Sequence, residues 1–424
     1  MNIKQIINNI SSGQYDKQFI YLYQSAEEPR KRYIKALKEF ESLFPGRSNV
    51  HIFSAPGRTE IGGNHTDHQH GSVLAASVDL DIVAVVSENQ SNFINVKSEE
   101  FDMDTVDINY LEPFENEAGM SASLIRGVCS AFAKNNVNIR GFDAYTVSNV
   151  LKGSGLSSSA AFEVLIAEII NKMFGENKMS ATQMAKICQY AENVYFKKPS
   201  GLLDQMASAC GSITFADFSD LKNPAIENID FNPLNFGYNL IIVNTGGDHA
   251  NLTNDYADIT TELKQISSYF KADVLRFVDE EDFYFDIPSL REKFGDRSVL
   301  RAIHFFEEQK RVSDQRKALE TGDFKGFLNL VTESGISSGE YLQNLYSVSD
   351  VSSQGLMLAI ALTRKFLKGK GACRVHGGGF AGTIQCYIPC ELTNEYCSLM
   401  EKVFGEGCCF TIKIRPVGGY ELKI

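Results

Sequence analysis

Leu151-Lys152-Gly153-Ser154-Gly155-Leu156-Ser157-Ser158-Ser159-Ala160 is the stretch on which the reading of this chain turns. Its glycines let the backbone bend so that successive N–H groups point at one place, a concave nest that binds anions. Beyond it, Leu165, Ile166, Ile169, Ile170, Met173 and Phe174 recur at helical spacing, so a helix is expected from the serines at 157–159 to about Phe174. Such a helix presents unpaired N–H groups and a positive dipole end to the same point. Serines at its first turn can cap it, bond phosphate oxygens or ligate a metal ion. Capping alone needs fewer glycines and serines than stand here, so phosphate binding is the favoured reading. Gly153, Ser154, Gly155, Leu156, Ser157, Ser158 and Ser159 form the candidate loop. It is not a Walker A loop, because no G-x-x-x-x-G-K-[ST] occurs in the chain.

Working outward, residues 142–149 read as a strand before the loop, and about 181–196 as a second helix after it. Residues 1–50 read as charged helix. Strands are expected at Val73–Val78, Ile82–Val86 and Phe93–Val96, with a helix over about 120–134. Polar, Asn- and Pro-bearing sequence from Lys222 to Pro233 suggests a boundary between domains of residues 1–225 and 226–424. The second half opens with Leu240–Val243 as a strand and continues with helices over 255–345 and 354–367. Strands near 383–388 and 409–414 close it. Two α+β domains with a cleft between them are the expected architecture.

With 424 residues, the chain is long enough for two or three domains. The hydrophobic share of 43% and charged share of 22% are those of a globular protein. No apolar run approaches a membrane span, and the N-terminus lacks a secretory signal pattern, so a cytoplasmic protein is expected. Nine cysteines with no C-x-x-C pair suggest neither a disulfide framework nor a zinc site. A net charge of −12 argues against nucleic acid as a partner.

Three further segments carry chemistry. Pro56-Gly57-Arg58-Thr59-Glu60-Ile61-Gly62-Gly63-Asn64-His65-Thr66-Asp67-His68-Gln69-His70 could be a metal site, a polyol-binding turn or a plain polar loop. Arg58 there offers a fixed positive charge for a transferring phosphoryl group. Glu192 and Asp204 are the candidate acids. Asp204 reads equally as a helix-start carboxylate or as a group that orients a substrate hydroxyl. Gly377-Gly378-Gly379-Phe380-Ala381-Gly382 fits G-x-G-x-x-G, but a strand follows it where a dinucleotide site needs a helix. It reads as a tight turn or as a second backbone approach to a ligand.

Together these segments resemble the galactokinases of the GHMP kinase family. Pro56 to Asp67 resembles P-G-R-x-x-x-x-G-x-H-T-D, Gly153 to Ala160 the G-x-G-L-S-S-S-A loop, and His376 to Gly382 the late glycine cluster. Ala191-Glu192-Asn193 and Gly201-Leu202-Leu203-Asp204-Gln205 match segments of the galactokinase branch. The resemblance spans about residues 50–424. It implies an N-terminal domain holding the loop, a ferredoxin-like C-terminal domain, a site between them, and ATP with Mg2+. It implies phosphate contacts from Gly153 to Ser159 and magnesium ligation by Ser159 and Glu192. Arg58 would stabilise the transition state, and Asp204 would act on the C1 hydroxyl of galactose. Asn64, His65, Asp67, Gly201 and Tyr256 would touch the sugar, Tyr256 being matched through Asn254-Asp255-Tyr256. A monomer is the default.

The chain departs from the family pattern at Glu60, Gly62, Asn64 and His68, where Asn, Ile, Glu and Tyr are usual. Asn64 stands where a carboxylate would bond the sugar, and one changed partner can shift substrate preference. A kinase for N-acetylgalactosamine, a uronic acid or arabinose therefore stays open. So does a sugar sensor without catalysis, although the intact serines favour an enzyme. A hydrolase built on the histidines is a third reading.

Overall fold

The structure is a computed structural model and describes residues 2–150, 155–247 and 252–424. Three helices open the chain: α1 (Ile3–Ser11), α2 (Asp16–Tyr23) and α3 (Glu27–Leu43). Asn2 caps α1 by accepting from the Gln5 N–H at 2.8 Å. Ile3, Ile6 and Ile10 on α1, and Tyr33, Ala36, Leu37 and Phe40 on α3, form buried stripes at helical spacing.

These stripes pack on one face of a large sheet, against Val83, Val85, Tyr145 and Val147. Its first strands are β1 (His51–Gly62), β2 (Ser72–Glu88), β3 (Phe93–Ser98) and β4 (Met103–Asp107). After α4 (Ser121–Lys134) comes β5 (Phe142–Ser148). Then follow α5 (Ser158–Met173), α6 (Ala181–Tyr190) and α7 (Leu203–Cys210), and finally β6 (Ile213–Asp217) and β7 (Ala225–Ile229). The order is β12-β1-β2-β5-β3-β4, with β6 on β2 and β7 on β6, where β12 is Tyr420–Glu421 near the C-terminus. The other face carries α4 to α7 in one continuous core. With both faces covered, β1 is buried almost throughout.

Three sequence expectations shift here. The segments read as two strands at 73–78 and 82–86 are one 17-residue strand. Its first part pairs with β6 and its last part with β5. The helix expected to Phe196 is α-helical only to Tyr190 and continues as a π turn, Ala191–Phe196. The polar stretch 222–233 contains β7, which extends the first sheet.

The second sheet is antiparallel, in the order β11-β8-β10-β9: β8 (Tyr238–Asn244), β9 (Ala372–His376), β10 (Thr383–Pro389) and β11 (Cys409–Ile412). Between β8 and β9 lie α8 (Thr253–Tyr269), α9 (Glu280–Phe285), α10 (Ile287–Thr321), α11 (Phe324–Ser337) and α12 (Gly355–Leu367). α13 (Thr393–Phe404) joins β10 to β11. This β-α-β-β-α-β order is that of a ferredoxin-like unit. α10 breaks at Gly295, whose φ of 81° only glycine adopts easily. The mixed α/β architecture with two sheets agrees with the fold expected from the sequence. Among the described residues, no helix is long and apolar enough to cross a membrane.

Candidate active site

Strand β1 delivers the first site residues. Arg58 and Glu60 alternate with Thr59 and Ile61, so they share one face. The chain then turns through Gly63 to His70. Thr66 Oγ1 donates within this turn, with the Gly63 carbonyl at 2.9 Å and the Ser72 carbonyl at 2.8 Å as acceptors. Gly63, at φ 89°, lies so close to Ser72 that a Cβ would stand 2.7 Å from its carbonyl oxygen. That turn holds His65 and Asp67 at the mouth of a cleft of about 730 Å3.

Asp204 enters from the first turn of α7, where the helix dipole favours a carboxylate. Arg58 Nε donates to its Oδ1 at 2.7 Å. Ser157 Oγ donates to its Oδ2. Burial opposes ionisation of Asp204, but the Arg58 charge, the Arg58 bond and the Ser157 bond outweigh it. The carboxyl is held below the usual carboxylate range. Arg58 also donates to the Gly155 carbonyl through Nη1, and its backbone N–H donates to the Leu156 carbonyl at 3.0 Å. The described part of the glycine–serine loop is thus tied directly to Arg58 and Asp204.

Ser157 is the N-cap of α5 but sits in the left-handed region (φ 54°) and makes no capping bond; its hydroxyl goes to Asp204 instead. A non-glycine residue held there costs free energy, of order 1–3 kcal/mol, which a functional contact can justify. Ser158 is half-buried at the helix start. Ser159 Oγ donates to Glu192 Oε1 at 3.0 Å. Glu192 lies in the π turn, a distortion that re-aims side chains and recurs at functional sites. Lys198 Nζ donates to the same Glu192 oxygen at 2.7 Å, and Gln205 Nε2 to the other at 2.7 Å. Gln205 also reaches Glu163 at 3.2 Å. Burial, reinforced by the Glu192 charge, pushes the Glu163 carboxyl well above its ordinary range. Gly153 and Ser154 lie outside the described residues.

The cleft gathers Arg58, Asn64, His65, Asp67, Gly201 and Asp204, with Tyr256 from α8 opposite. Gly201 packs so tightly on Asp67 that a Cβ would meet Oδ2 at 2.2 Å. Tyr256 donates from its hydroxyl to the Gly379 carbonyl at 2.9 Å. His65 Nε2 and the Gly378 carbonyl are 2.8 Å apart. Burial pushes the His65 imidazole down to about 4, against that bond, so it is neutral at neutral pH. Gly377–Gly379 therefore form a turn between β9 and β10 whose carbonyls bind the site's side chains. The tight-turn reading of that glycine cluster describes it.

Asn64 is fully buried. Its Nδ2 donates to Glu60 Oε1 at 3.0 Å and to the Gly377 carbonyl at 2.7 Å; its Oδ1 accepts from Asn344 at 2.8 Å. His65, Asp67 and His68 of the histidine segment line the cleft together, whereas His70 does not. His65 turns to Gly378, and His70 lies edge-on to Phe277. Among the described residues, no group of three or more His, Cys, Asp or Glu side chains is placed to hold a metal ion.

Sequence reasoning gave no site role to Glu60 or Gln205, although both stand in matched segments, and it missed Lys198, Glu163 and Asn344. Gln205 adjoins Asp204 and Lys198 sits in a basic pair before Pro199, so both carried a local signal. Asn344 carried none, because its partners lie far along the chain.

Residues 123–212 match the family described as GHMP kinases N terminal domain. Residues 38–88 match the Galactokinase galactose-binding signature. The chain is similar to a galactokinase of Streptomyces coelicolor, 28% identical over 348 residues, covering 82% of this chain and 86% of that protein. In fold it is similar to Lactococcus lactis galactokinase, solved with galactose, with TM-score 0.78 and 21% identity, over 92% of this chain and 99% of that one. Mevalonate kinase of Methanococcus jannaschii is also similar, with TM-score 0.61 and 14% identity, over 88% of this chain and 99% of that one. Both matched segments fall on the cleft and its loop: the chain carries a GHMP kinase N-terminal domain and a galactokinase galactose-binding signature, and it is similar to a galactokinase along most of its length.

Proposed function

We propose that the chain transfers the γ-phosphoryl group of ATP to the C1 hydroxyl of galactose, giving galactose 1-phosphate and ADP. The similarity to galactokinases along most of the chain supports this reading. The observation that carries it is the placement of Asp204, bonded to Arg58 on one oxygen and Ser157 on the other, where the glycine–serine loop meets the cleft. Phosphoryl transfer needs positioning and charge stabilisation more than covalent chemistry. The N-terminus of α5 and its serines hold the nucleotide phosphates, with Gly153 and Ser154 assigned to the same loop. Arg58 offsets charge on the transferring group. Asp204, kept ionised, accepts the hydrogen bond of the C1 hydroxyl, aligns its oxygen and receives its proton.

Ser159 and Glu192 are hard oxygen donors 3.0 Å apart beside the helix start, and they suit Mg2+. That ion would neutralise phosphate charge. His65, Asp67, Gly201 and Tyr256 are assigned to the sugar. Asn64 is assigned to bracing the cleft, since its polar atoms are already engaged. The division into an N-terminal and a C-terminal domain near residue 225, with β7 and β12 given to the first, belongs to the same reading. So do a cytoplasmic location and a monomeric state.

The test is ADP release from MgATP with galactose, N-acetylgalactosamine, glucose, arabinose and glucuronate separately, with Asp204→Asn as control. Galactose is the expected acceptor. Asp204→Asn should lower kcat by at least about a hundredfold while sugar binding changes far less. Turnover with another sugar alone reassigns the substrate. Binding of ATP and galactose without turnover overturns the enzymatic reading in favour of a sensor.

A further inference from the structure

Glu60 stands two residues beyond Arg58 on β1, with regular pairing between them: Arg58 faces Ser77 and Glu60 faces Ala75. Two strand residues span about 7 Å on one face. That is on the scale of a hexose ring with its substituents. If C1 lies at Asp204 and Arg58, the far end of the sugar lies at Glu60.

The Glu60 carboxylate is divided between two tasks. Oε1 accepts from Asn64 at 3.0 Å and from the fully buried Arg374. Among the described residues Oε2 accepts no bond, and the side chain lines the cleft. Asn64 is the reverse case, because both its amide nitrogen and its oxygen are taken by protein. Glu60 is therefore an acidic acceptor available to a ligand in this part of the cleft, two residues beyond Arg58 on the strand and apart from Asp67 in the turn. Asn64 and Arg374 fix its orientation, and Asn344 fixes Asn64.

We propose that Glu60 determines sugar specificity by accepting a hydrogen bond from a hydroxyl remote from C1, at C4 or C6. This rests on the galactose kinase reading above. A hydrogen bond to a charged group contributes about 1.5–3 kcal/mol, or about ten- to a hundredfold in kcat/KM.

The experiment measures kcat/KM for galactose, 4-deoxygalactose and 6-deoxygalactose with the wild-type protein and with Glu60→Gln. Wild type should disfavour one of the two deoxy sugars by about ten- to a hundredfold. The variant should lose a comparable factor on galactose, mainly through KM, and nothing further on that deoxy sugar. An equal loss on all three sugars, or no loss on galactose, overturns the proposal. Glu60→Gln leaves Arg374 without its carboxylate, so Glu60→Gln/Arg374→Gln is measured in parallel, with thermal unfolding as the check of folding. If neither variant folds, the wild-type series decides alone, and equal use of all three sugars sinks the assignment. Wild-type turnover of galactose with a failed Glu60 test leaves the kinase reading standing. No turnover of galactose at all overturns both.

Discussion

Asp204 is a carboxylate made more acidic by its neighbours, and that limits the chemistry it can do. A group held below the ordinary carboxylate range is a weak base at neutral pH. In the proposed reaction it therefore supplies charge and fixed direction first and receives the hydroxyl proton late, with Arg58 and Ser157 bonded to its two oxygens. His65 is tuned the opposite way, since burial holds it neutral at about 4 when an ordinary histidine titrates near 6.5. Between those values the unfolded chain binds a proton that the folded chain does not. The stability His65 contributes is therefore complete above about pH 6.5 and is lost as pH falls toward 4. His65→Gln removes this linkage. Melting temperatures at pH 7.5 and 5.0 should fall apart less in the variant than in wild type. An equal drop in both would place the acid sensitivity elsewhere.

Elements differ in how openly the sequence announces them. α5 was legible because its apolar positions follow the helical period and its serines mark the start. The π turn after α6 was not, since nothing in Ala191-Glu192-Asn193 distinguishes it from continued α-helix. α4 crosses it at Gly127, where a Cβ would lie 2.7 Å from Ala191 Cβ and 2.8 Å from Ala191 Cα, a contact between segments far apart in the chain. β9 was missed because Arg374 sits at its centre, and a buried charge reads as a surface residue until its partner Glu60 is known. The site followed the same rule. Arg58, Asp204 and the serine loop stood in recognisable segments, whereas the engagement of Asn64 depends on Asn344, 280 residues away. The α4 crossing is testable. Gly→Ala within a helix ordinarily gains about 1 kcal/mol, but intrusion on a packed backbone costs about 1–3 kcal/mol. Gly127→Ala should therefore lower the melting temperature and, by displacing Glu192, raise KM for MgATP. Unchanged values for both would show that α4 moves aside freely.

At the scale of the molecule, the chain closes on itself. β12 pairs with β1, and Arg415, just before it, enters the first sheet's interior. Arg415 Nη1 donates to Asp81 Oδ2 at 2.8 Å, and Nη2 to Ser54 Oγ at 2.8 Å. The Tyr23 hydroxyl, at 2.5 Å, and Arg32 donate to the same Asp81 carboxylate. One fully buried acid in the middle of β2 thus joins the N-terminal helices, the first sheet and the C-terminal tail. Breaking one partner of a buried pair typically costs about 3–5 kcal/mol, because the remaining charge stays desolvated. Arg32 still faces Asp81 and offsets part of that, so Arg415→Met should destabilise by about 2–4 kcal/mol. Nothing in this network lines the cleft, so the KM values for sugar and ATP should hold at temperatures where the variant is folded. Denaturant unfolding read beside steady-state kinetics separates the two effects. A variant as stable as wild type would mean that the tail is dispensable to the core. A variant stable but with altered KM would mean that closure of the chain reaches the active site through β1, the strand that carries both Arg58 and the seam with β12.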